Sequence, residues 1–530
     1  MVESSPKRRR TGSGALLVAT GILLSRLMGL VRLRVFAHFF GLHSDAADAF
    51  NAAFRIPNFL QNLFGEGVLS ASFIPVYAGL LARGDEREAG RVAGAVIAIL
   101  SLATSLLVLA GVAATPLLVH AIAPGFEGPK RELTIGIVRI MFPGAGLLVL
   151  SAWCLGILNS HRRFLLSYTA PVIWNVAMIV TLVAFGRGAD LSFLATALAW
   201  GSVVGSGLMF AVQVPWVLRL VSCLRVRLDM HSGHVRVVLR SFVPVFIGRG
   251  VVQISAYIDV LLASPLPTGA VTGLFNAQLI YMLPVSLFGM AVSAAELPAM
   301  SRATGDADEV AAYLRQRLNG GLRQIAFFIV PSAMAFLALG DVVSAALLQT
   351  GRFTYGDSLY VWGILAGSAV GLFAATEGRL YASVFYSLRD TRTPLKYAVV
   401  HVVLATALGY VAAVHLPGWV GMAPRWGVAG LTISASIAAW VEFLLLRQRL
   451  NSRIGPTGLP LSYMAKLWTA AGAGAAAAWA VRLAIGTQHP LVWAAAILSP
   501  YGLVYFGTVF LFRLPEGRAL LARGFRMIGR

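Results

Sequence analysis

Residues 48–66 read Asp48-Ala49-Phe50-Asn51-Ala52-Ala53-Phe54-Arg55-Ile56-Pro57-Asn58-Phe59-Leu60-Gln61-Asn62-Leu63-Phe64-Gly65-Glu66. Two patterns are superposed in this stretch. Most positions are apolar, as in a helix that lies in an apolar medium. Asp48, Arg55, Asn62 and Glu66 interrupt them at spacings of 7, 7 and 4. At 100° per residue these four fall within about 40° of one another, and Asn51 and Asn58 lie near the same stripe. Hydrocarbon satisfies no polar group, so a membrane helix carrying such a stripe turns it toward water or other polar side chains. Pro57 and Gly65 predict a kink or break within the segment.

The rest of the chain supports the membrane reading. Of its 530 residues, 58% are hydrophobic and only 12% charged, about half the charge of an ordinary soluble protein. Fourteen segments are apolar enough and long enough to span a bilayer. They cover residues 15–40, 46–82, 92–122, 133–158, 168–185, 191–218 and 241–264, then 271–300, 318–348, 358–387, 397–415, 426–446, 464–485 and 491–512. The basic run at Lys7–Arg10 precedes an apolar stretch that is too long for a signal peptide and carries Arg26, Arg32 and Arg34, so it reads as a retained first helix. The two cysteines, Cys154 and Cys223, have no metal-ligand or disulfide-framework spacing.

The net charge of +21 admits two readings, nucleic acid or a positive-inside membrane protein. Position decides between them. With the N-terminus in the cytoplasm, 28 Lys and Arg fall in cytoplasmic tails and loops and 5 on the opposite side. The asymmetry predicts a multi-pass protein of the bacterial inner membrane with both termini cytoplasmic, and it leaves no need for a nucleic-acid partner.

The chain also repeats itself. Phe50-Asn51-Ala52-Ala53 returns as Phe275-Asn276-Ala277-Gln278, Leu63-Phe64-Gly65 as Leu287-Phe288-Gly289, Pro75 as Pro298, Arg26 as Arg249, and Ile157–Ser160 as Val384–Ser387. The offsets run from 223 to 227. One period holds six helices, so the halves are parallel, an arrangement typical of transporters with the substrate between the halves. The expected organisation is a basic tail (1–14), an N-lobe of helices one to six (15–218), an amphipathic interfacial linker (219–240) and a C-lobe of helices seven to twelve (241–446). Helices thirteen and fourteen (447–512) and a second basic tail (513–530) follow. No loop is long enough for a soluble catalytic module and no nucleotide-binding motif occurs, so a transporter rather than an enzyme is expected.

Ionisable residues inside a bilayer are expensive and usually functional. Arg26 and Arg249 occupy equivalent places in the two halves. Their planar, permanently charged forks suit an anion, with phosphate first. Arg32 and Arg55 join them as candidate phosphate ligands, and Asp48, Asn62 and Glu66 are candidate polar cavity or gating residues. Alternatives remain open. Asp48 and Arg55 either line a cavity or pair with neighbouring helices to hold the bundle, and Arg32 either binds substrate or snorkels to the interface. Asp259 is a cation ligand, a proton carrier or a partner for Arg249. Glu377 and Arg379 do not share a helix face, so each requires its own partner. The small residues of 470–478 suit close helix packing or a groove for a lipid chain.

These residues resemble a known family. Ser25-Arg26-Leu27-Met28-Gly29-Leu30-Val31-Arg32 is similar to the SRxxGxxR start of the MurJ (MviN) lipid II flippases of the MOP exporter superfamily. Asp48-Ala49-Phe50, Pro57-Asn58, Phe64-Gly65-Glu66-Gly67 and Phe73-Ile74-Pro75 resemble its second-helix signature. Ile157-Leu158-Asn159 with Arg163-Phe164, and Phe385-Tyr386-Ser387 with Asp390–Pro394, resemble its two cytoplasmic loop motifs.

The resemblance implies two six-helix lobes around a cationic cavity, plus two C-terminal helices that hold a lipid tail. It further implies alternating access, with the pyrophosphate of lipid II held by arginine and membrane lipids and cell-wall synthesis or division proteins as partners. Arg26, Arg32, Asp48 and Glu66 match its motifs. Gln61 and Leu279 stand where the family commonly has arginine, which makes Arg55 and Arg249 the candidate substitutes. No cofactor or metal is expected. The drive is a Na+ or H+ gradient or the membrane potential, with Asp259 as the candidate carrier. The alternative is a MOP-type exporter of another lipid-linked oligosaccharide.

Overall fold

In the computed structural model the backbone is described for residues 10–518 apart from 65, 222, 230–231 and 487–488. Side chains are described from residue 21 onward, apart from those masked positions and 22, 57, 62, 66–67, 70–71, 164 and 243–256. The described residues form an all-α membrane protein. Ten of their helical segments are long and apolar enough to cross a bilayer. The expected segments 15–40, 46–82, 241–264 and 464–485 are helical but are not among the ten.

Two compact units divide the chain. The first comprises residues 1–271 and 350–352. It contains α1 (Arg10–Phe40), α2 (Asp45–Phe64), α3 (Glu66–Ala82), α4 (Glu86–Ala113), α5 (Thr115–Ile122), α6 (Gly128–Ser160), α7 (Phe164–Phe185), α8 (Leu191–Leu220) and α9 (Gly233–Ala263). Here α1 packs on α7, α6 on α2 and α8, and α3 on α9. The sequence reading places helix 241–264 in the second lobe, whereas its contacts group α9 with the first unit.

The second unit comprises residues 272–349 and 353–530. Most of α10 (Ala270–Pro284) belongs to it. It continues through a π-helical turn (Val285–Met290) into α11 (Ala291–Met300), then α12 (Ala307–Leu348), α13 (Tyr355–Ser387) and α14 (Arg392–Tyr410). A second π turn (Val411–His415), α15 (Leu416–Val420), α16 (Gly427–Ile454), α17 (Leu461–Ile485) and α18 (Pro490–Leu511) follow. At the α13–α16 crossing, Gly367 and Gly371 let the backbones approach. Thr432 and Ser436 then donate hydrogen bonds to the Ile364 and Gly367 carbonyls at 2.9 and 2.7 Å. The small face of α17 is buried, with Gly474 against Tyr501 of α18. Acids in the short loops act as caps: Asp85, Asp190 and Asp306 each accept backbone N–H bonds at the start of α4, α8 and α12.

The sequence repeat is visible in backbone detail. Both α6 and α13 have 33 residues and begin 227 residues apart. Each ends in a turn whose arginine lies in the left-handed region, Arg162 (φ 58°) and Arg389 (φ 59°), also 227 apart. The break between α4 and α5 at Ala114 has its counterpart in Leu339 (φ −133°, ψ 18°), a non-helical residue inside α12. The helical backbone continues through 57, and residue 65, between α2 and α3, lies outside the described residues. Its repeat partner, Gly289, lies in the π-helical turn.

The linker is not helical before Gly233. It seats its backbone on α4, where a Cβ on Gly90 would meet the Cys223 carbonyl at 2.8 Å and one on Gly94 would strike that of Arg225. Arg91 and Asp229 form an ion pair beside it.

Candidate functional site

The first unit carries its charges in three clusters. Asp48 of α2 is 1% exposed. Its Oδ2 accepts from Lys130 Nζ and from the backbone N–H of Gly269, both at 2.9 Å. Lys130 stands in the first turn of α6, 3.1 Å from Asp45 and over the ring of Phe126 at 4.4 Å. The Thr268 hydroxyl donates to Asp45 at 2.7 Å. Burial works against the charge on Asp45, but the hydrogen bonds from Thr268 and Lys130 and the Lys130 charge outweigh it, so its carboxyl lies below the ordinary range. Of the two readings left open for Asp48, these are the bonds the bundle-holding one requires. Lys130, read from sequence as a loop charge, is the missed partner. The signal was Pro129, which favours the first turn of a helix and so starts α6 before the apolar run.

Arg32 of α1 is half-buried. Its guanidinium lies 5.3 Å from the Phe54 ring centroid and 5.1 Å from that of Trp174, and Nη1 donates to Met178 Sδ at 3.3 Å. The two rings stack at 5.6 Å with 19° between planes. Arg32 thus joins α1, α2 and α7 through their aromatic faces, which both desolvates and stabilises its charge.

The third cluster joins α2 to α9. Tyr257 donates to the Arg55 carbonyl at 2.8 Å and meets Phe59 edge to face at 5.6 Å. Asp259, one turn-half further along α9, interacts electrostatically with the Arg55 side chain. The sequence leaves Asp259 open as a cation ligand, a proton carrier or a partner for Arg249; the structure brings the Arg55 charge within its reach. Arg26 is exposed on α1. The side chains of Arg249, Asn62 and Glu66 lie outside the described residues. Gln61 and Leu279 are half-buried.

The second unit has a buried ion pair that sequence reasoning missed. Asp341 of α12, 0% exposed, accepts from the Tyr355 hydroxyl at 2.7 Å and pairs with Arg482 of α17 at 2.9 Å. Arg482 lies over Trp479 and Trp493 at 4.6 and 5.3 Å. Each charge sits alone in an apolar segment, and only their separate rarity marked them. Glu377 is buried in α13 within electrostatic reach of Arg447 of α16, while Arg379 is exposed. Among the described residues no group of three or more His, Cys, Asp or Glu is placed to hold a metal ion.

Residues 36–499 match the family model described as lipid II flippase MurJ. The chain belongs to the MurJ lipid II flippase family. A relative named lipid II flippase MurJ from Burkholderia cenocepacia is 33% identical over 449 residues, covering 83% of this chain and 84% of that protein. A probable lipid II flippase MurJ from Rhizobium tropici is 31% identical over 439 residues, covering 81% and 79%. Among solved structures, a lipid II flippase MurJ in an inward closed conformation superposes with a TM-score of 0.76 at 22% identity, covering 96% of this chain and all of that one. An inward-facing multidrug resistance MATE transporter of the MOP superfamily follows the same path at a TM-score of 0.65, 19% identity and 83% and 98% coverage. The chain thus has the MOP fold.

Proposed function

We propose that this chain is a lipid II flippase. It moves the undecaprenyl-pyrophosphate-linked peptidoglycan precursor across the bacterial inner membrane by alternating access, with both termini in the cytoplasm. The observation that carries the reading is the family match over residues 36–499, which favours lipid II over another lipid-linked oligosaccharide. The charges of the first unit supply a chemistry for it. Arg26 offers a guanidinium unburied on α1, and the pyrophosphate is a dianion that such forks bind well. Helices α17 and α18 take the lipid tail.

Coupling follows from the Arg55–Asp259 pair. One guanidinium fork satisfies one anion fully. When the pyrophosphate engages Arg55, the pull of Arg55 on Asp259 weakens, which favours uptake of a Na+ ion or a proton by the carboxyl. When substrate leaves, Arg55 returns and expels the cation. The membrane potential acts on the same charges, at about 2.3 kcal/mol per unit charge per 100 mV, a bias of nearly ~50-fold between two states.

Complementation of a flippase-depleted strain tests the reading. Wild-type chain restores growth and Arg26→Ala does not, although it reaches the membrane. Failure of the wild type to lower inner-leaflet lipid II overturns the substrate assignment. Cysteine tagging tests orientation: positions near 86 and 391 react from the cytoplasm and position 128 from the periplasm.

A further inference from the structure

The second unit contains a cavity of about 680 Å³ between α13, α16, α17 and the 455–460 turn. Its walls are aromatic and aliphatic: Phe373, Trp440, Phe443, Met464 and Trp468. Three of these rings form one cluster, with Phe373, Trp440 and Phe443 centroids 5.7 to 6.3 Å apart. Two charged residues, Glu377 and Arg447, break the pattern. Glu377 is 2% exposed, lines the cavity, and its Oε1 has no hydrogen-bond partner. The cation in its field, Arg447, directs Nε to the Thr457 carbonyl at 3.1 Å and rests against Gly458, so it is held by the turn. A buried carboxylate oxygen without a donor costs roughly 1–3 kcal/mol or more, and here it faces a space large enough for a ligand.

We propose that this cavity binds an organic ammonium compound with an apolar body. The ammonium group donates to Glu377 Oε1 and lies against the ring faces, while the apolar part occupies the aromatic walls. Two physical requirements select this class. An acceptor without a donor selects N–H over an ether or a carboxylate, and ring faces carry negative charge that favours a cation. Leu444 and Leu461, 52% and 85% exposed, stand at the mouth, so an amphipathic amine enters from the apolar phase. The site lies wholly within the second unit and does not depend on the flippase reading.

The test is direct binding of tritiated 4-phenylbutylamine to the full chain in phosphatidylcholine nanodiscs, with 4-phenylbutanol and 4-phenylbutyrate as competitors of the same shape. The amine binds saturably, the alcohol competes at least tenfold more weakly, and the carboxylate does not compete. Glu377→Gln weakens amine binding at least tenfold. Trp468→Ala, on a different helix, weakens it several-fold. Arg379→Gln, exposed on the same helix as Glu377, leaves it unchanged. Equal competition by the alcohol, stronger competition by the carboxylate, or full binding by a folded Glu377→Gln protein overturns the proposal. Thermal midpoints establish folding, and if Glu377→Gln fails to fold, the Trp468→Ala result and the competitor order decide.

Discussion

The segments α2–α3 and α10–α11 are two copies of one motif, and they share backbone but not charge. Both carry a buried asparagine at the same place, Asn51 at 3% and Asn276 at 2% exposure. In the second copy Leu-Phe-Gly lies in a π-helical turn; in the first, Leu63 and Phe64 are helical and residue 65 lies outside the described residues. Yet the positions 225 residues beyond Asp48 and Arg55 are Gly273 and Ile280. Gly273 lies so close to Tyr360 that a Cβ would meet its ring at 2.8 Å, and Ile280 is fully buried. The buried asparagine therefore belongs to the repeated frame. The charge is an addition to one copy, since a helix of the same shape forms without it. A structural feature of the fold would recur; a specialised one need not.

Exchanging the residues at the paired positions is the harshest way to break the comparison. Ile280→Arg places an unpaired cation in a closed apolar site and costs at least about 3 kcal/mol. The expected result is loss of monodisperse protein in size-exclusion chromatography. The reverse change, Arg55→Ile, removes the cation that faces Asp259, whose carboxyl can take up a proton in its place, so the loss is smaller. It yields folded protein that fails to complement. Recovery of well-folded Ile280→Arg at wild-type yield would show that the second copy tolerates the charge it lacks.

Each unit has its own buried fastener, and these set the next largest effect. Asp48 holds Lys130 and the Gly269 N–H; Asp341 holds Arg482 and Tyr355. Asp341→Ala leaves Arg482 behind in an apolar setting, a loss of about 3–5 kcal/mol for a buried pair broken from one side, and Asp48→Ala costs less because Lys130 keeps Asp45 at 3.1 Å. Arg482 is 19% exposed, so its value should fall at the lower end. Removing the cation as well, in Asp48→Ala with Lys130→Ala, recovers part of the loss in a thermal melt. No recovery would mean that the Gly269 bond, not the ion pair, is the fastener.

A smaller contrast lies where the chain leaves α8 and α16. In the first unit the backbone at 223–225 rests on Gly90 and Gly94 of α4. At the positions 225 residues further on, α12 has Arg315 and Asn319. There Asn319 Oδ1 accepts from the Gly458 N–H at 3.1 Å and Arg315 packs against Gly455. One copy seats its connector by close approach, the other by side-chain bonds. Gly94→Asn forces the linker off α4, at about 1–3 kcal/mol. Asn319→Gly loses one hydrogen bond, about 1 kcal/mol. Limited proteolysis reads both, with cleavage near 225 faster in the first variant and near 457 in the second; equal cleavage in both would erase the distinction.

Much of this was legible in the sequence, because hydropathy and repetition are long-range patterns that no single contact controls. The repeat offsets led to matching helices and turns. The stripe on residues 48–66 showed that charge is concentrated in the first copy. What the stripe did not show was the partner of each charge. Asp48, Arg55 and Arg32 read as one set of equivalent candidates, but their neighbours come from α6, α9 and α7, and one-dimensional spacing carries no information on which helices touch. Arg32 illustrates the limit: Phe54, Trp174 and Met178 are ordinary apolar residues until they are found around one guanidinium. Asp341 and Arg482 were harder still, being 141 positions apart with no motif around either.

The last contrast is between the two left-handed arginine turns. After Arg162 comes Arg163, and after Arg389 comes Asp390. The backbone bonds are the same: the N–H of Arg163 donates to the Leu158 carbonyl at 2.8 Å and that of Asp390 to Phe385 at 2.9 Å. Only the second turn has a titratable acid. Asp390 accepts from the Thr393 N–H at 3.0 Å and its hydroxyl at 2.7 Å, and pairs with Arg453 at 2.8 Å. The Thr393 bonds, with Arg453 adding to them, hold its carboxyl below the ordinary value, which is ~3.9 for an unfolded aspartate. A group whose folded pKa is depressed stabilises the fold fully above the unfolded value, and that contribution is lost as pH falls through the folded one. Arg453 is 35% exposed and Asp390 17%, so screening by water and salt reduces the effect. Asp390→Asn therefore melts slightly below wild type at pH 7, and the gap closes as pH falls below ~3.9 toward the lower folded value. Arg163→Gln, in the turn without an acid, shows a gap with no such dependence. A gap for Asp390→Asn that stays constant to pH 3 would place the stabilisation in the turn geometry both copies share, and not in the carboxylate only one of them has.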